Sequence, residues 1–250
     1  MEVENRAERG NRLQTFGDSI EEALRPVPIA PGFAATPRNF ITRSVMLPPW
    51  FIDRCRRAYL TTDFGTGPRA LGVTSAQHGE GKTSVAIGIA LAMAADTQEP
   101  TLLVECDLER GAFSRYLQLD GSGGLSDWLD GTGPLRVARM PFLPNLAVLP
   151  AGAPHTDAPR LLYQLTGAAF MNDLTSRFQN VVLDLPPMLD LAYSSLALKL
   201  VNRLLLVARY GVTHTEDLER ALFLLGHDRV AGIVLNGTQY RTPSWLRRLF

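Results

Sequence analysis

A glycine-bearing loop that ends in Gly-Lys-Thr is the part of this chain best suited to binding an anion. It lies within LGVTSAQHGEGKTSVAIGIALAMAA, between an apolar run over Ala70–Thr74 that predicts a buried strand and a run over Lys82–Ala95 with helical spacing. Gly79 and Gly81 let backbone amides turn inward around an oxyanion, which a Cβ would obstruct. The unpaired amides and the positive dipole end of the helix point at the same anion. Strand, loop and helix in this order predict a phosphate-binding loop for a nucleotide.

The Gly-Lys-Thr triplet supplies two side chains that this chemistry needs. Lys82 can reach the β- and γ-phosphates, and the Thr83 hydroxyl can ligate Mg²⁺. The chain holds two lysines, Lys82 and Lys199, against 23 arginines, so lysine is kept where a compact ammonium suits a phosphate. The alternative is a glycine loop that only turns a strand into a helix. The residues predicted to bind the nucleotide here are Gln77, His78, Gly79, Glu80, Gly81, Lys82, Thr83 and Ser84.

Acidic residues end two of the predicted strands and could serve the same reaction. In NVVLDLPP, the strand Asn180–Leu185 carries Asp184, which we expect to hold Mg²⁺ rather than to cap the next turn. In TLLVECDLERG, the strand Thr101–Cys106 runs into Glu105 and Asp107, which project on one side. We expect Asp107 to orient or deprotonate a phosphoryl acceptor, with Glu105 either assisting or taking no part. The predicted catalytic residues are Lys82, Asp107, Glu105 and Asp184, and the predicted metal ligands are Thr83, Asp107 and Asp184.

Composition narrows the class of protein. The chain has 250 residues, of which 46% are hydrophobic and 20% charged, and its formal net charge is zero. No overall field therefore favours nucleic acid or an anionic membrane. No apolar run approaches the roughly 18 residues that span a bilayer, and MEVENRAERG is not a signal peptide. Cys55 and Cys106 have neither disulfide nor zinc spacing. We expect a cytoplasmic protein that reaches a membrane only through a partner.

Apolar strands alternate with helical patterns along most of the chain. This alternation predicts an α/β fold with a mostly parallel sheet and helices on both faces. Besides the strands above, we predict strands at Leu146–Leu149, Arg203–Ala208 and Val230–Leu235. We predict further helices at Trp50–Thr62, Pro159–Leu165, Met171–Phe178, Ser194–Leu200 and Thr215–Leu225.

The two ends of the chain differ in composition from this middle part. Residues 1–48 read as a tail, with a short helix possible over Asp18–Leu24 and an extended or disordered stretch in RPVPIAPGFAATPRNF. Residues 49–240 form the predicted nucleotide-binding domain. Residues 241–250 are predicted to be an arm, whose Trp245 and Phe250 either pack on the domain or dock a partner or lipid headgroups.

In this order, the motifs resemble the cytoplasmic domain of bacterial tyrosine kinases. The similarity covers about Trp50 to Asn236. It is carried by VTSAQHGEGKTSVAIGIALAMA, by TLLVECDLERGAFSRYLQLDGSGGLSDWLDG, by VLPAGAPHTDAPRLL, by NVVLDLPPMLDLAYSSLALKLVNRLLLVARYGVTHTEDLERAL and by VAGIVLNG. The resemblance implies a P-loop fold, ATP and Mg²⁺ as cofactors, and phosphorylation of tyrosine in exopolysaccharide or capsule synthesis. It also implies a membrane-spanning chain-length regulator as partner, and Asn236 against the adenine.

Partition and division-site ATPases are related in fold. They carry a signature lysine five residues before the invariant one, where this chain has Gln77. That difference disfavours a partition-type ATPase, and we expect no nucleic acid partner.

The sequence departs from the kinase family at three places. The second acidic motif usually has aspartate where this chain has Glu105, and one extra methylene can misplace a catalytic base. The family's ring-forming Glu-x-x-Arg-x-x-Arg pattern has a partial echo in Asp53, Arg56 and Tyr59. The usual terminal tyrosine cluster is represented only by Tyr240. Three hypotheses follow: a tyrosine kinase of polysaccharide export, an ATP-switched scaffold or ATPase of the same system, or a positioning ATPase.

Overall fold

The computed structural model describes residues 19–20, 22–23, 47–113, 123–140 and 143–238. Within this part of the chain, seven strands form one sheet in the order β3-β4-β2-β5-β1-β6-β7. The pairs β1–β5, β1–β6, β2–β4, β2–β5 and β6–β7 are parallel, and β3–β4 is antiparallel. The strands are β1 Arg69–Ser75, β2 Thr101–Glu105, β3 Ala138–Met140, β4 Leu143–Leu149, β5 Asn180–Asp184, β6 Leu204–Arg209 and β7 Val230–Asn236.

Helices cover both faces of the sheet, as the alternation of patterns predicts. They are α1 Pro49–Leu60, α2 Lys82–Thr97, α3 Leu125–Asp130, α4 Ala158–Leu165, α5 Ala168–Arg177, α6 Ser194–Ala197 and α7 Thr215–Leu225. Side chains of β2 alternate between the two faces of the sheet. Leu103 packs with α1 and α2 on one face, while Leu102 and Val104 pack with α4 and α5 on the other. The predicted α/β class with a mostly parallel sheet is confirmed. Within the described part of the chain, no helix has the length and apolar character needed to cross a membrane.

The bounds of most elements agree with the sequence predictions to within a few residues, but some elements differ. Helix α3, Leu125–Asp130, was not among the predicted helices, because six residues are too few to show helical periodicity. Strand β3 was not predicted, because three residues with an exposed arginine in the middle give no apolar run. Helix α6 ends at Ala197 rather than Leu200, since the next three amides donate to carbonyls three residues back and tighten the chain. Helical residues at 19–20 and 22–23 match the short helix predicted over 18–24. The burial of Ile20 in the core was not predicted.

Helix α1 is fastened to α2 by a carboxylate. Asp96 accepts a hydrogen bond from Arg56 Nε at 2.7 Å and another from the Tyr59 hydroxyl at 2.6 Å. Arg56 also pairs with Asp53. The three residues that echo the family's ring-forming pattern therefore take part in contacts within one chain.

The topology brings the predicted site residues to one edge of the sheet. Strand β1 lies between β5 and β6, and β2 lies on the far side of β5. The chain leaves β1 toward β2 in one direction and leaves β5 toward β6 in the other. The carboxyl ends of β1, β2 and β5 therefore meet at the switch point where α/β sheets bind ligands.

Candidate nucleotide site

Lys82 stands between two carboxylates at the start of α2. Its Nζ lies 2.9 Å from Asp107 Oδ2 and 3.3 Å from Asp184 Oδ1. All three side chains are buried, and the lysine is 7% exposed. Burial lowers the pKa of the Lys82 ammonium, but the charges of Asp184 and Asp107 outweigh this and raise it. The lysine is therefore a fixed positive charge in a site from which water is largely excluded.

Thr83 and the two aspartates could hold Mg²⁺ together with phosphate oxygens. The Thr83 hydroxyl donates to Asp184 Oδ2 at 2.8 Å. Asp107 Oδ1 is buried and has no hydrogen-bond partner among the described residues, so it keeps a free acceptor. No cluster of three acidic, histidine or cysteine side chains suited to a metal occurs in that part of the chain. The donor set fits Mg²⁺, which takes one or two carboxylates plus phosphate oxygens and water, better than an ion that needs a full protein cage.

The loop itself has the backbone that the glycines predict. Gly79 and Gly81 have φ of 81° and 95°, and α2 begins at Lys82. The side chain of Asn236, at the end of β7, donates to the Glu80 carbonyl at 2.9 Å. Asn236 therefore contacts the backbone of the phosphate loop. That Asn236 lies against the adenine of a bound nucleotide remains a prediction. Ser84 is half-buried in the first turn of α2.

Several contacts hold this loop from outside, and the sequence did not predict them. The buried Glu80 carboxylate accepts from the Gln77 amide at 3.0 Å and from the Thr213 hydroxyl. The Gly79 carbonyl accepts from Arg209 Nη1 at 3.2 Å. Arg209 is the last residue of β6 and Thr213 follows that strand. Because the carboxyl end of β6 lies next to that of β1, strand order was the one signal that could have indicated these two residues.

His78 and Gln77 are also occupied by acidic partners. Asp190 accepts from the His78 amide at 2.6 Å and contacts its ring Nδ1. Gln77 Nε2 donates to Asp217 at 2.9 Å. Asp190 lies six residues after Asp184, in the segment that follows β5. The phosphate loop is therefore tied both to the segment after β5 and to the start of α7.

Alanine at the two loop glycines should separate backbone strain from steric conflict. A Cβ at Gly81 would lie 2.0 Å from Asn236 Nδ2, whereas a Cβ at Gly79 would meet no heavy atom within 4 Å. We expect Gly79→Ala to lose about 1 kcal/mol of unfolding free energy through its positive φ alone. Gly81→Ala should lose about 1 kcal/mol more, because Asn236 must give up its hydrogen bond. Urea denaturation of both variants tests this, and equal losses would contradict it.

Glu105 is placed differently from Asp107. Its Oε1 accepts from the Phe113 amide and its Oε2 from the Ala151 amide, both at 2.9 Å. The side chain is fully buried. Burial raises its pKa to about 7, although these amides favour the charged form. Both carboxylate oxygens are thus held by the backbone, and the predicted catalytic role of Glu105 remains a prediction.

This raised pKa predicts a specific pH dependence of stability. The folded chain holds the Glu105 proton more tightly than the unfolded chain, whose carboxyl titrates near 4.5. Stability from this group is therefore full below about pH 4.5 and is lost as pH rises through about 7, a change of roughly 3 kcal/mol. Glu105→Gln cannot titrate, so its unfolding free energy should lack this decline. Parallel curves for wild type and variant in urea titrations at pH 5 to 8 would refute the assignment.

Arg110 and Tyr193 lie on the Asp107 side of the site. Arg110 has an exposed side chain, and its amide donates to the Asp107 carbonyl at 3.3 Å. Burial and a hydrogen bond to Glu109 raise the pKa of Tyr193, with the charge of Asp107 adding to the shift. Tyr193 therefore lies on the acidic side of the site, a placement that its sequence position did not reveal.

A phosphate loop after β1, with a lysine and a threonine paired to the aspartate that ends β5, defines the class of P-loop nucleotide-binding proteins. Solved structures agree with this class. MinD of Pyrococcus horikoshii, solved with Mg-ADP, superposes with a TM-score of 0.55 over 72% of this chain and 76% of that chain, at 22% identity. At that identity the likeness concerns the fold alone.

More similar proteins are kinases. The tyrosine-protein kinase Ptk of Acinetobacter johnsonii is 28% identical over 168 residues, which are 66% of this chain and 23% of Ptk. The kinase domain of VpsO is 29% identical, with a TM-score of 0.60 over 69% of this chain and 86% of that domain. No protein-family model matches the chain. The chain is a relative of the kinase domain of bacterial tyrosine kinases, which confirms the resemblance, and it spans about a quarter of the length of Ptk.

Proposed function

We propose that this protein binds Mg-ATP and transfers the γ-phosphoryl group to tyrosine, as part of a bacterial exopolysaccharide or capsule export system. The observation that carries the proposal is the buried arrangement of Lys82 with Asp107 and Asp184 at the end of the phosphate loop. ATP would supply the transferable phosphoryl group, and Mg²⁺ would neutralise the charge that develops on it. In such a transfer the protein contributes mainly position and electrostatic stabilisation.

Each side chain has a separate task in this proposal. Lys82 and the loop amides bind the phosphates, and to do so the ammonium exchanges part of its carboxylate contact for phosphate oxygen. Thr83 and Asp184 hold the metal. Asp107, with its free buried oxygen, orients or deprotonates the tyrosine hydroxyl. Burial raises the pKa of Asp184, which suits a carboxylate that is ionised most fully when a cation is beside it.

The proposal for the partner and the location rests on the resemblance of the motifs to bacterial tyrosine kinases rather than on the geometry of the site. We infer that a membrane-spanning chain-length regulator recruits the protein to the inner face of the cell membrane and completes its active state.

An ATPase of the same system that does not phosphorylate tyrosine is the second candidate. It is favoured by the contacts of Glu105, since both oxygens are held by backbone amides and only Asp107 is left to activate an acceptor. A partition-type ATPase is disfavoured, because Gln77 stands at the signature lysine position and donates to Asp217.

Incubation with γ-³²P-ATP and Mg²⁺ separates these functions. The chain should be assayed alone, with a glutamate–tyrosine copolymer, and with the cytoplasmic segments of a membrane-spanning chain-length regulator. Radiolabelled phosphotyrosine is the expected result. Phosphate release without phosphotyrosine would replace the kinase by the ATPase. ATP-dependent binding of DNA would replace both by the positioning ATPase.

A further inference from the structure

The Glu105 carboxylate bridges two loops that leave the same edge of the sheet. One oxygen binds the amide of Phe113, eight residues further along, and the other binds the amide of Ala151, 46 residues further along. A fully buried carboxylate is costly unless its oxygens are hydrogen-bonded. Here each oxygen has a backbone donor, and the two donors come from different loops. The side chain therefore links the loop after β2 to the loop after β4.

The loop after β2 is the one that carries Asp107. The amides of Arg110 and Gly111 both donate to the Asp107 carbonyl at 3.3 Å, so the loop turns back on the aspartate before it reaches Phe113. Fixing the Phe113 amide therefore fixes the far end of the turn that begins at Asp107. Loop geometry of this kind decides where the Asp107 carboxylate lies relative to Lys82.

The loop after β4 is itself anchored. Leu125 and Ser126, at the start of α3, donate to the carbonyls of Pro150 and Ala151 at 2.9 and 2.7 Å. The two loops also touch directly, since a Cβ at Gly111 would lie 2.6 Å from the Gly152 carbonyl oxygen. The backbones of the two loops that Glu105 links are therefore in close contact at Gly111 and Gly152. A side chain larger than hydrogen at Gly111 would force the two loops apart.

We propose that Glu105 is a positioning residue: it holds the Asp107 loop against the anchored loop after β4 and does not itself exchange protons with the acceptor. Glutamate suits this task because aspartate is one methylene, about 1.5 Å, shorter and would not reach both amides. The catalytic consequence, that Glu105 acts through Asp107, rests on the proposed function. The structural part, the link between the two loops, does not.

Hydrogen exchange tests the structural part without any assay of activity. Glu105→Gln keeps the length but has one carbonyl oxygen and an NH₂ group, which cannot accept. At least one of the two amides loses its partner, so peptides containing residues 113 or 151 should exchange about tenfold faster. Glu105→Asp should accelerate both. The phosphate-loop peptide 76–84 should change less than about twofold, and Glu99→Gln, on an exposed side chain of the turn before β2, should change neither loop.

Unchanged exchange at both loops in Glu105→Gln would overturn the proposal, as would a uniform increase across the sheet, which reports general destabilisation.

In the phosphoryl-transfer assay, Glu105→Gln should lower kcat about tenfold or more with the KM for ATP changed less than about threefold. The double variant with Asp107→Asn should be no slower than Asp107→Asn alone, because both changes act on one group. Losses that multiply would show that Glu105 acts independently. Absence of Mg-ATP binding in the wild type would refute the proposed function. The hydrogen-exchange result would still decide whether Glu105 links the two loops.

Discussion

Lys82→Met is expected to abolish ATP-dependent activity while the chain remains folded. The ammonium lies within 3.3 Å of both site carboxylates, so its loss leaves Asp107 and Asp184 facing the nucleotide phosphates without the positive charge that lay between them. Removing one partner of a buried charge arrangement costs several kcal/mol, and we expect Mg-ATP affinity to fall at least about 100-fold. Turnover should become undetectable, because charge neutralisation at the phosphate is the main catalytic effect.

The chain supplies its own control for this variant. Lys199, the one other lysine, has an exposed side chain after α6. Lys199→Met should match the wild type in ATP affinity, turnover and denaturation. Circular dichroism should show the helix and sheet content of Lys82→Met unchanged. A folded Lys82→Met that binds and turns over ATP like the wild type would remove Lys82 from the site.

Asp184→Asn should weaken the binding of Mg²⁺ at the site and so lower turnover. The aspartate is fully buried and contacts both Lys82 and the Thr83 hydroxyl. Asparagine keeps the shape, but its amide nitrogen cannot accept from Thr83 and its neutral oxygen is a weak ligand for Mg²⁺. We expect turnover to fall about 100-fold or more and the Mg²⁺ concentration for half-maximal rate to rise.

ATP binding measured in EDTA distinguishes a metal role from a structural one. Without Mg²⁺, Asp184→Asn should bind ATP at least as well as the wild type, because one repelling charge is gone. Asp228→Asn, on an exposed aspartate before β7, is the matched control and should change neither measurement. An unaltered Mg²⁺ requirement in Asp184→Asn would show that another group holds the metal.

The sequence predicted the parts of the fold that depend on local pattern. Short apolar runs predicted the strands β1, β2 and β5, and the Gly-Lys-Thr triplet predicted the start of α2. Strand β3 escaped because its pairing with β4 depends on a register that no local pattern encodes. The burial of Ile20 escaped for the same reason, since it depends on a contact with distant parts of the core.

The sequence predicted the site residues that belong to a recognisable motif with a known chemical role. Lys82, Thr83, Asp107 and Asp184 come together as expected. The contacts of Asp190 and Arg209 with the phosphate loop were not predictable, because strand order rather than chain order makes them neighbours. Glu105 shows the limit of periodicity, since two carboxylates on one side of a strand lie in different environments once the loops above them fold.

Isothermal titration of the folded chain with ATP and Mg²⁺, followed by thermal denaturation of the same sample, measures directly whether the phosphate loop binds a nucleotide. We expect saturable binding of one ATP per chain and a higher melting temperature. Both effects should be lost in Lys82→Met and kept in Lys199→Met. Absence of heat and of any thermal stabilisation with the wild-type protein would contradict the claim that these loop amides, this lysine and these strand-end carboxylates form a nucleotide site.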